Sequence, residues 1–270
     1  MSNAFFKHSS KGISCWHNRD EKPINNCKMH THDCIEIYHF ISGECSYLVE
    51  GTLYSLKPGD IMIMRPLEAH KCIVNSSDTP YERIGFEVDP EIFNELDEGK
   101  ELFKEMYERP LGTANKFTAQ DFGHNMCIEL YNSIIMQPEK ITRIELIART
   151  LFILSEAKSV MARNNNITRS TDIGAKLIDY VNQNLFTSPT LEQISNEFFI
   201  SQSQINRIFR QKTGSSIGQY ITAKRLLTAR NRIRAGETAS VACVECGYND
   251  YSAFYRAYVK RFGISPQKDR

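Results

Sequence analysis

The sequence predicts an α+β chain in two parts. An N-terminal β-barrel or sandwich is followed by a helical segment, and a C-terminal domain is all-α. Three observations carry this reading. Between residues 13 and 88, short apolar segments of strand character alternate with Gly, Pro and Asp punctuation. After Asp89-Pro90, apolar residues fall three and four apart, the spacing of one helix face. From Asp172 onward every segment reads as helix or short turn, and one helical pattern recurs with a shift of 49 residues.

Size and composition set the frame for these elements. The 270 residues exceed one ordinary core and suit two modest domains. A hydrophobic fraction of 41% with 24% charged residues is that of a globular protein and excludes a largely disordered chain. No apolar run approaches the ~18 residues of a membrane span, so no membrane partner is expected. The opening positions, among them Ser2, Asn3, Lys7, His8 and Ser9, are polar and carry no secretion signal. Eight cysteines scattered at 15, 27, 34, 45, 72, 127, 243 and 246 make no dense disulfide framework, and a reducing, cytoplasmic setting is expected. The net charge of +1 hides a split. Residues 171–270 hold 14 Lys and Arg against 8 Asp and Glu, whereas residues 1–170 hold 19 against 24. A basic C-terminal part beside an acidic body suggests a polyanionic partner for the former.

In the N-terminal part, residues 35–41 are strand-like and closed by Ser42-Gly43. Strands at 46–49 and 52–56 flank Glu50-Gly51, a two-residue hairpin signal. A turn at Lys57-Pro58-Gly59-Asp60 leads to Ile61–Met64, and Tyr81–Val88 alternates again. Helices are expected at 91–107, 121–136 and 143–162, the last with Ile144, Ile147, Leu151 and Leu154 on one face. The polar stretch 164–171 reads as a linker. The expected domains are therefore a barrel at 5–90, a helical segment at 91–163, the linker, and an all-α domain at 172–270.

Within that last domain, Ile173, Leu177, Val181 and Leu185 line a first helix. Thr190 with Gln193 and Ser201 with Gln204 are capping boxes for a second and a third. A longer helix over about 217–235, with Ile221, Leu226, Ala229 and Ile233 apolar, stops at Gly236. The repeat then places Ser201, Arg207 and Gly214 in register with Asp250, Arg256 and Gly263. Two short helices joined by a tight turn form a helix-turn-helix, whose second helix enters the DNA major groove. The outward positions are Ser203, Asn206 and Arg207, then Tyr251, Ser252, Tyr255 and Arg256; Ile205, Ile208, Phe209, Phe254 and Tyr258 point inward. One such unit fits a helical bundle that merely packs. Two, with matched Arg–Gly spacing in the basic region, favour DNA.

The run Gly247-Tyr248-Asn249-Asp250-Tyr251-Ser252-Ala253-Phe254-Tyr255-Arg256, with Gly263-Ile264-Ser265-Pro266, closely resembles the signature of AraC-type transcriptional regulators. Residues 205–214 are similar to that family's first recognition helix, and Tyr220, Arg225 and Ala229 fit its connecting helix. Ala242 and Cys243 depart from the pattern at packing positions. The resemblance implies two recognition helices reading successive major-groove segments of double-stranded DNA. Carried over, the base-edge candidates are Ser203, Asn206, Arg207, Tyr251, Ser252, Tyr255 and Arg256. Arginine suits guanine because its fork donates to O6 and N7 together, and Asn206 suits adenine. Arg210, Lys212, Arg225, Lys260 and Arg261 are expected to meet phosphates or stay solvated.

His30-x-His32-x3-Glu36-x6-Gly43, followed by Pro58-Gly59-Asp60 and His70, resembles the two cupin motifs. The resemblance implies a cupin-like β-barrel of the kind AraC-type regulators carry as an effector sensor. In metal-dependent cupins the corresponding three His and one Glu hold a divalent ion such as Zn, Mn, Fe or Ni. Three readings of His30, His32, Glu36 and His70 stay open: a metal site, the walls of an effector pocket, or side chains satisfied by neighbours at the barrel mouth. Two departures stand out, Ile24 near the first motif's glycine and Arg65-Pro66-Leu67 where the second has Pro-x-Gly. Trp16 and His17 are candidates for the pocket rim. Cys243-x-x-Cys246 reads as two buried small residues. No phosphate-binding Gly loop or nucleophile elbow occurs, and no catalytic residue is assigned.

The expected protein is a DNA-binding regulator controlled by a small effector, by family weight a sugar, with RNA polymerase a partner if it activates. A homodimer is expected across the helical segment, with Tyr131, Ile134, Ile135, Leu146, Phe152 and Ile153 as candidates either for that surface or for packing against the barrel. The alternatives are a metal-dependent cupin enzyme with secondary DNA binding, and a constitutive DNA-binding protein whose barrel docks a partner.

Overall fold

The computed structural model describes residues 3–25, 27–93, 101–122, 134, 140–163, 172–187 and 189–270. The chain divides into two compact units, one of residues 1–28 and 34–169, the other of 170–270 together with 29–33. No helix among the described residues is long and apolar enough to cross a membrane.

Among its described residues the first unit holds nine strands: β1 (Asn3–Ser10), β2 (Ile13–Asp20), β3 (Ile35–Ser42), β4 (Cys45–Val49), β5 (Thr52–Ser55), β6 (Ile61–Met64), β7 (His70–Val74), β8 (Tyr81–Val88) and β9 (Lys116–Phe117). They form the expected antiparallel, sheet-rich domain as two sheets, one in the order β1-β2-β8-β3-β6-β9 and one in the order β5-β4-β7. Strand alternation gives the larger sheet two buried faces. On one, Ile35 and Ile37 of β3, Ile61 and Ile63 of β6, and Ile84, Phe86 and Val88 of β8 pack with a long helix, α2 (Arg143–Arg163), through Leu146, Ile153, Leu154, Ala157 and Val160. On the other, Tyr38, Phe40, Met62 and Met64 meet Cys45, Tyr47, Val49 and Cys72 of the smaller sheet. This is why β3 is buried along most of its length and does not alternate with solvent.

Turn chemistry explains the local joints. Glu50 and Gly51 both have positive φ, 46° and 85°, as a two-residue primed hairpin turn requires. Leu67 occupies the position where the cupin-type motif has glycine, and it keeps glycine's conformation at φ 70°. A buried network holds it there, because the Arg65 amide donates to Glu68 Oε2 at 3.0 Å and the Glu68 amide donates to the Arg65 carbonyl at 3.2 Å.

The helix expected at 91–107 is not continuous. A 3₁₀ turn at Pro90–Phe93 and a short helix, α1 (Lys104–Glu108), stand within it. The latter stops because Arg109 precedes Pro110 and is extended, with ψ 146°. Lys116–Phe117 then returns to the sheet beside β6, a strand too short to show a period. The helix expected at 121–136 lies largely outside the described residues, as does the linker at 164–171. Of the residues offered for a dimer surface or for packing on the barrel, Ile134, Leu146 and Ile153 follow the second reading, buried in this unit's own core, and Phe152 is half-buried. Tyr131 and Ile135 lie outside the described residues.

His39 belongs to the buried part of β3, in register with Ile61 and Ile84. Burial pushes its imidazole down to about 4. The unfolded chain takes up that proton near pH 6.5, so stability is present above that pH and is lost as pH falls toward 4. The loss expected is about 3 kcal/mol, read as the urea midpoint between pH 7.5 and 4. His39→Gln removes that part of the acid sensitivity.

The second unit is helical: α3 (Ile173–Gln183), α4 (Leu191–Phe198), α5 (Gln202–Thr213), α6 (Ile217–Arg234), α7 (Ala239–Glu245) and α8 (Tyr251–Phe262). Side-chain caps open each of them. Asp172, Thr190, Ser201, Ser216, Thr238 and Asp250 accept from amides of the first turns. The Thr190–Gln193 capping box forms as expected, and Ser216–Gln219 makes another. Helix α6 is buried on most of its circumference, including Lys224 and Arg225, which is why it shows no clean apolar stripe.

Candidate functional site

The 49-residue repeat is realised residue for residue. Helices α5 and α8 each run twelve residues, from a cap at Ser201 or Asp250 to a left-handed glycine at Gly214 (φ 71°) or Gly263 (φ 72°). The Gly214 amide donates to the Arg210 carbonyl and the Gly263 amide to the Val259 carbonyl, both at 2.8 Å. Ile205 and Phe209 of the first copy, and Phe254 and Tyr258 of the second, are fully buried and fix which faces point out. Those faces carry Ser203, Arg207 and Arg210, then Ser252, Tyr255, Arg256 and Lys260, all exposed, with Asn206 half-buried beside them. Neither Arg207 nor Arg256 makes an ion pair among the described residues, so both guanidinium forks are available to an outside acceptor. Tyr251 is half-turned inward, its hydroxyl accepting from Gln267 and its ring 5.8 Å from Phe254.

Two expected phosphate ligands are placed otherwise. Arg225 is buried inside the unit, donating from Nε to the Leu185 carbonyl at 2.6 Å and from Nη1 to the Gly247 carbonyl at 2.8 Å. Lys212 pairs with Asp172, the cap of α3, at 2.8 Å. Arg261 is exposed. Cys243 and Cys246 are buried core residues, and burial raises both thiols, that of Cys246 to about 11.

In the first unit, alternation along β3 turns Glu36 to the face shared with Tyr38 and Phe40, between the two sheets. Tyr47 Oη donates to Glu36 Oε1 at 3.2 Å, and the Tyr47 ring stacks 6.1 Å from that of His70. His70 Nε2 lies 3.0 Å from Glu36 Oε2, while its Nδ1 lies 2.8 Å from the Glu68 carbonyl. A carbonyl only accepts, so Nδ1 carries a proton and a neutral imidazole then presents a lone pair at Nε2. That lone pair would face a carboxylate. The contact is satisfied when a proton lies between Nε2 and Oε2 or when a cation shares the two groups. His30 and His32, with rings 6.0 Å apart, belong to the segment 29–33 that groups with the second unit. Trp16, the single tryptophan, packs edge-on to Tyr38 at 6.3 Å from the same face. His17 turns away from that face and bonds Glu82 at 2.8 Å.

Comparison with known families matches both units. Residues 194–270 match a helix-turn-helix domain, and residues 19–115 match an AraC-like ligand binding domain. The chain belongs to the AraC family. It is 31% identical over 126 residues to LumQ of Photobacterium leiognathi, described as a probable transcriptional regulator, in a match covering 46% of each chain. It is 21% identical over 251 residues to the transcriptional activator RhaS of Mannheimia succiniciproducens, covering 89% of this chain and 88% of RhaS. The matched segments thus span about half of LumQ, and 32% of RhaR from the same Mannheimia species. Among solved structures, ToxT from Vibrio cholerae O395 aligns over 96% of this chain and 97% of its own at 12% identity and a TM-score of 0.42. In this AraC-family chain the ligand-domain match contains Glu36, Glu68 and His70, and the helix-turn-helix match contains both arginine-bearing helices. Sequence reasoning missed the role of Glu68, which has no period or motif to mark it, and the burial of Arg225.

Proposed function

We propose that the chain is a sequence-specific, effector-responsive transcriptional regulator. The observation that carries this is the pair of twelve-residue helices with Arg207 and Arg256 at matched, exposed positions. Ser203, Asn206 and Arg207 read one major-groove segment, and Ser252, Tyr255 and Arg256, with Tyr251 at the edge, read a second. Arg210 and Lys260 supply phosphate contacts that set register and affinity. The N-terminal part of the chain holds a small ligand, a sugar on family weight, against His30, His32, Glu36 and His70. The ligand regulates by binding one arrangement of the protein better than another. Two copies bind a repeated site, so a homodimer is the working unit. The exposed Ile144 on α2 supports a pairing surface there. No catalytic residue is required.

Selection of DNA from a random pool by the full chain tests the first part. Enrichment of a bipartite motif supports the reading, and recovery of random sequence sinks it. The effector part is tested by thermal shift against sugars, small acids and divalent metals, with Trp16 fluorescence as a local reporter. A ligand at a hundredfold excess over Kd adds about 2.7 kcal/mol of stability. A sugar response indifferent to chelator identifies His70 and Glu36 as pocket walls. A second reading, a divalent ion on the same four residues, is favoured by the Nε2-to-carboxylate contact of His70 and Glu36. It predicts stoichiometric metal in purified protein, lost in His70→Ala, and a stabilisation that chelator removes.

A further inference from the structure

Helix α6 connects the two helix-turn-helix modules, and its two halves belong to different cores. Its N-terminal half is tied to the first module, where Tyr220 Oη and Lys224 Nζ both donate to Asn182 Oδ1 of α3, at 3.1 and 2.9 Å. Its C-terminal half, through Leu226, Ala229 and Ile233, lies in the core of the second module with Ala242, Cys243, Phe254 and Tyr258. Arg225 sits at the crossover and is 6% exposed. Its Nε donates to the carbonyl of Leu185, just past α3, and its Nη1 donates to the carbonyl of Gly247, in the turn between α7 and α8. Both oxygens lie just beyond a helix C-terminus, where the helix dipole favours a cation.

A second contact lies at the same joint. Gly247 has φ 77°, and a Cβ there would stand 2.3 Å from the Phe186 carbonyl oxygen and 2.7 Å from Arg225 Nη2. The turns that follow α3 and α7 therefore touch through backbone, with the planar guanidinium wedged between them. A rigid fork with two donors fixes both the separation and the angle of the carbonyls it joins. A lysine, with one flexible ammonium, does not.

We infer that Arg225 is a positioning residue for DNA specificity: by clamping Leu185 to Gly247 it sets the distance between the recognition helices α5 and α8, and so the number of base pairs allowed between the two segments they read. This rests on the DNA-binding reading above. It goes beyond that reading by assigning spacing discrimination to a residue that touches no base.

The test uses the full chain and the bipartite site recovered by selection, with copies carrying one base pair more or fewer between the segments. Wild type is expected to lose about tenfold in affinity per inserted or deleted base pair, the cost of a mismatched contact. Arg225→Met is expected to discriminate the three spacings by less than about threefold, while a DNA bearing one segment alone binds as tightly as to wild type. Arg225→Lys restores stability but only part of the discrimination. If Arg225→Met fails to fold by circular dichroism, Arg225→Lys and Gly247→Ala carry the comparison. Folded variants that keep the wild-type spacing profile overturn the assignment and leave the DNA-binding reading standing. A wild type that shows no spacing preference also overturns it. Failure of wild type to enrich any DNA sinks the underlying reading instead.

Discussion

Alanine at Arg207 or at Arg256 is expected to weaken binding to the selected DNA by about 1–3 kcal/mol, roughly ten- to a hundredfold, and to flatten base preference within one segment only. The two side chains hold equivalent places on equivalent helices, so each loss should be confined to its own half of the site. Affinity for random DNA should change far less, because the phosphate contacts of Arg210 and Lys260 remain. The double variant should show near-additive loss, since the two arginines contact separate segments. Competition binding at fixed salt, with specific and random duplexes, reads all of this. Equal loss on both duplexes would reassign the arginines to the phosphate backbone. The salt slope separates the classes further. Lys260→Ala should reduce it by about one, whereas loss of a base contact leaves it nearly unchanged.

The largest stability effect is expected in the other unit, at Glu68. This carboxylate is 0% exposed and accepts from Arg109 Nη1 at 2.6 Å and Nη2 at 2.9 Å, from Asn115 Nδ2 at 2.8 Å, and from the Gly112 amide at 3.1 Å. Arg65, also buried, bonds the Met106 carbonyl and lies 3.7 Å from the same carboxylate. Burial alone would raise the Glu68 carboxyl, but the Arg109 guanidinium beside it outweighs burial and holds it below its ordinary value. Its stabilisation is thus present above the usual carboxylate range and is lost only as pH falls below it. Glu68→Ala strands two guanidinium groups in the interior and should cost about 3–5 kcal/mol in urea unfolding. Glu68→Gln should recover little, because the charge is what Arg109 requires. At the exposed pair Glu101–Lys104, Glu101→Ala should change stability by less than about 0.5 kcal/mol. A Glu68→Ala protein as stable as wild type would show that the turn at Leu67 is held by other contacts.

The DNA-facing helices were the most legible feature of the chain. Capping residues, apolar spacing and terminal glycines act over a single turn of helix, so Ser201, Ile205, Phe209 and Gly214, and their partners 49 residues on, declared themselves locally. The hairpin at Glu50-Gly51 was legible for the same reason. Helix 91–107 misled because its three-and-four spacing belongs partly to Phe93, Phe103 and Met106, which reach a shared core from a 3₁₀ turn, a turn and one short helix. Leu67 shows the limit from the other side: its left-handed turn is bridged by Arg65 and Glu68, and those two side chains are in turn held by Met106, Arg109 and Gly112, about forty residues on, which leave no local mark.

By itself the sequence determined what depends on neighbours within a few residues: which stretches are helix or strand, where the helices are capped, the repeat, and the types of side chain on each recognition helix. Tertiary structure decided what depends on partners far along the chain. It divided the strands between a six-stranded and a three-stranded sheet and packed Ile134, Leu146 and Ile153 into a core. It buried Glu68 among arginines and moved Arg225 from an expected phosphate contact to a clamp between Leu185 and Gly247. The physical reason is the same in each case. Burying a charged or polar group is tolerable only when distant backbone or side chains satisfy it, and no local pattern of residues encodes where those partners will come from.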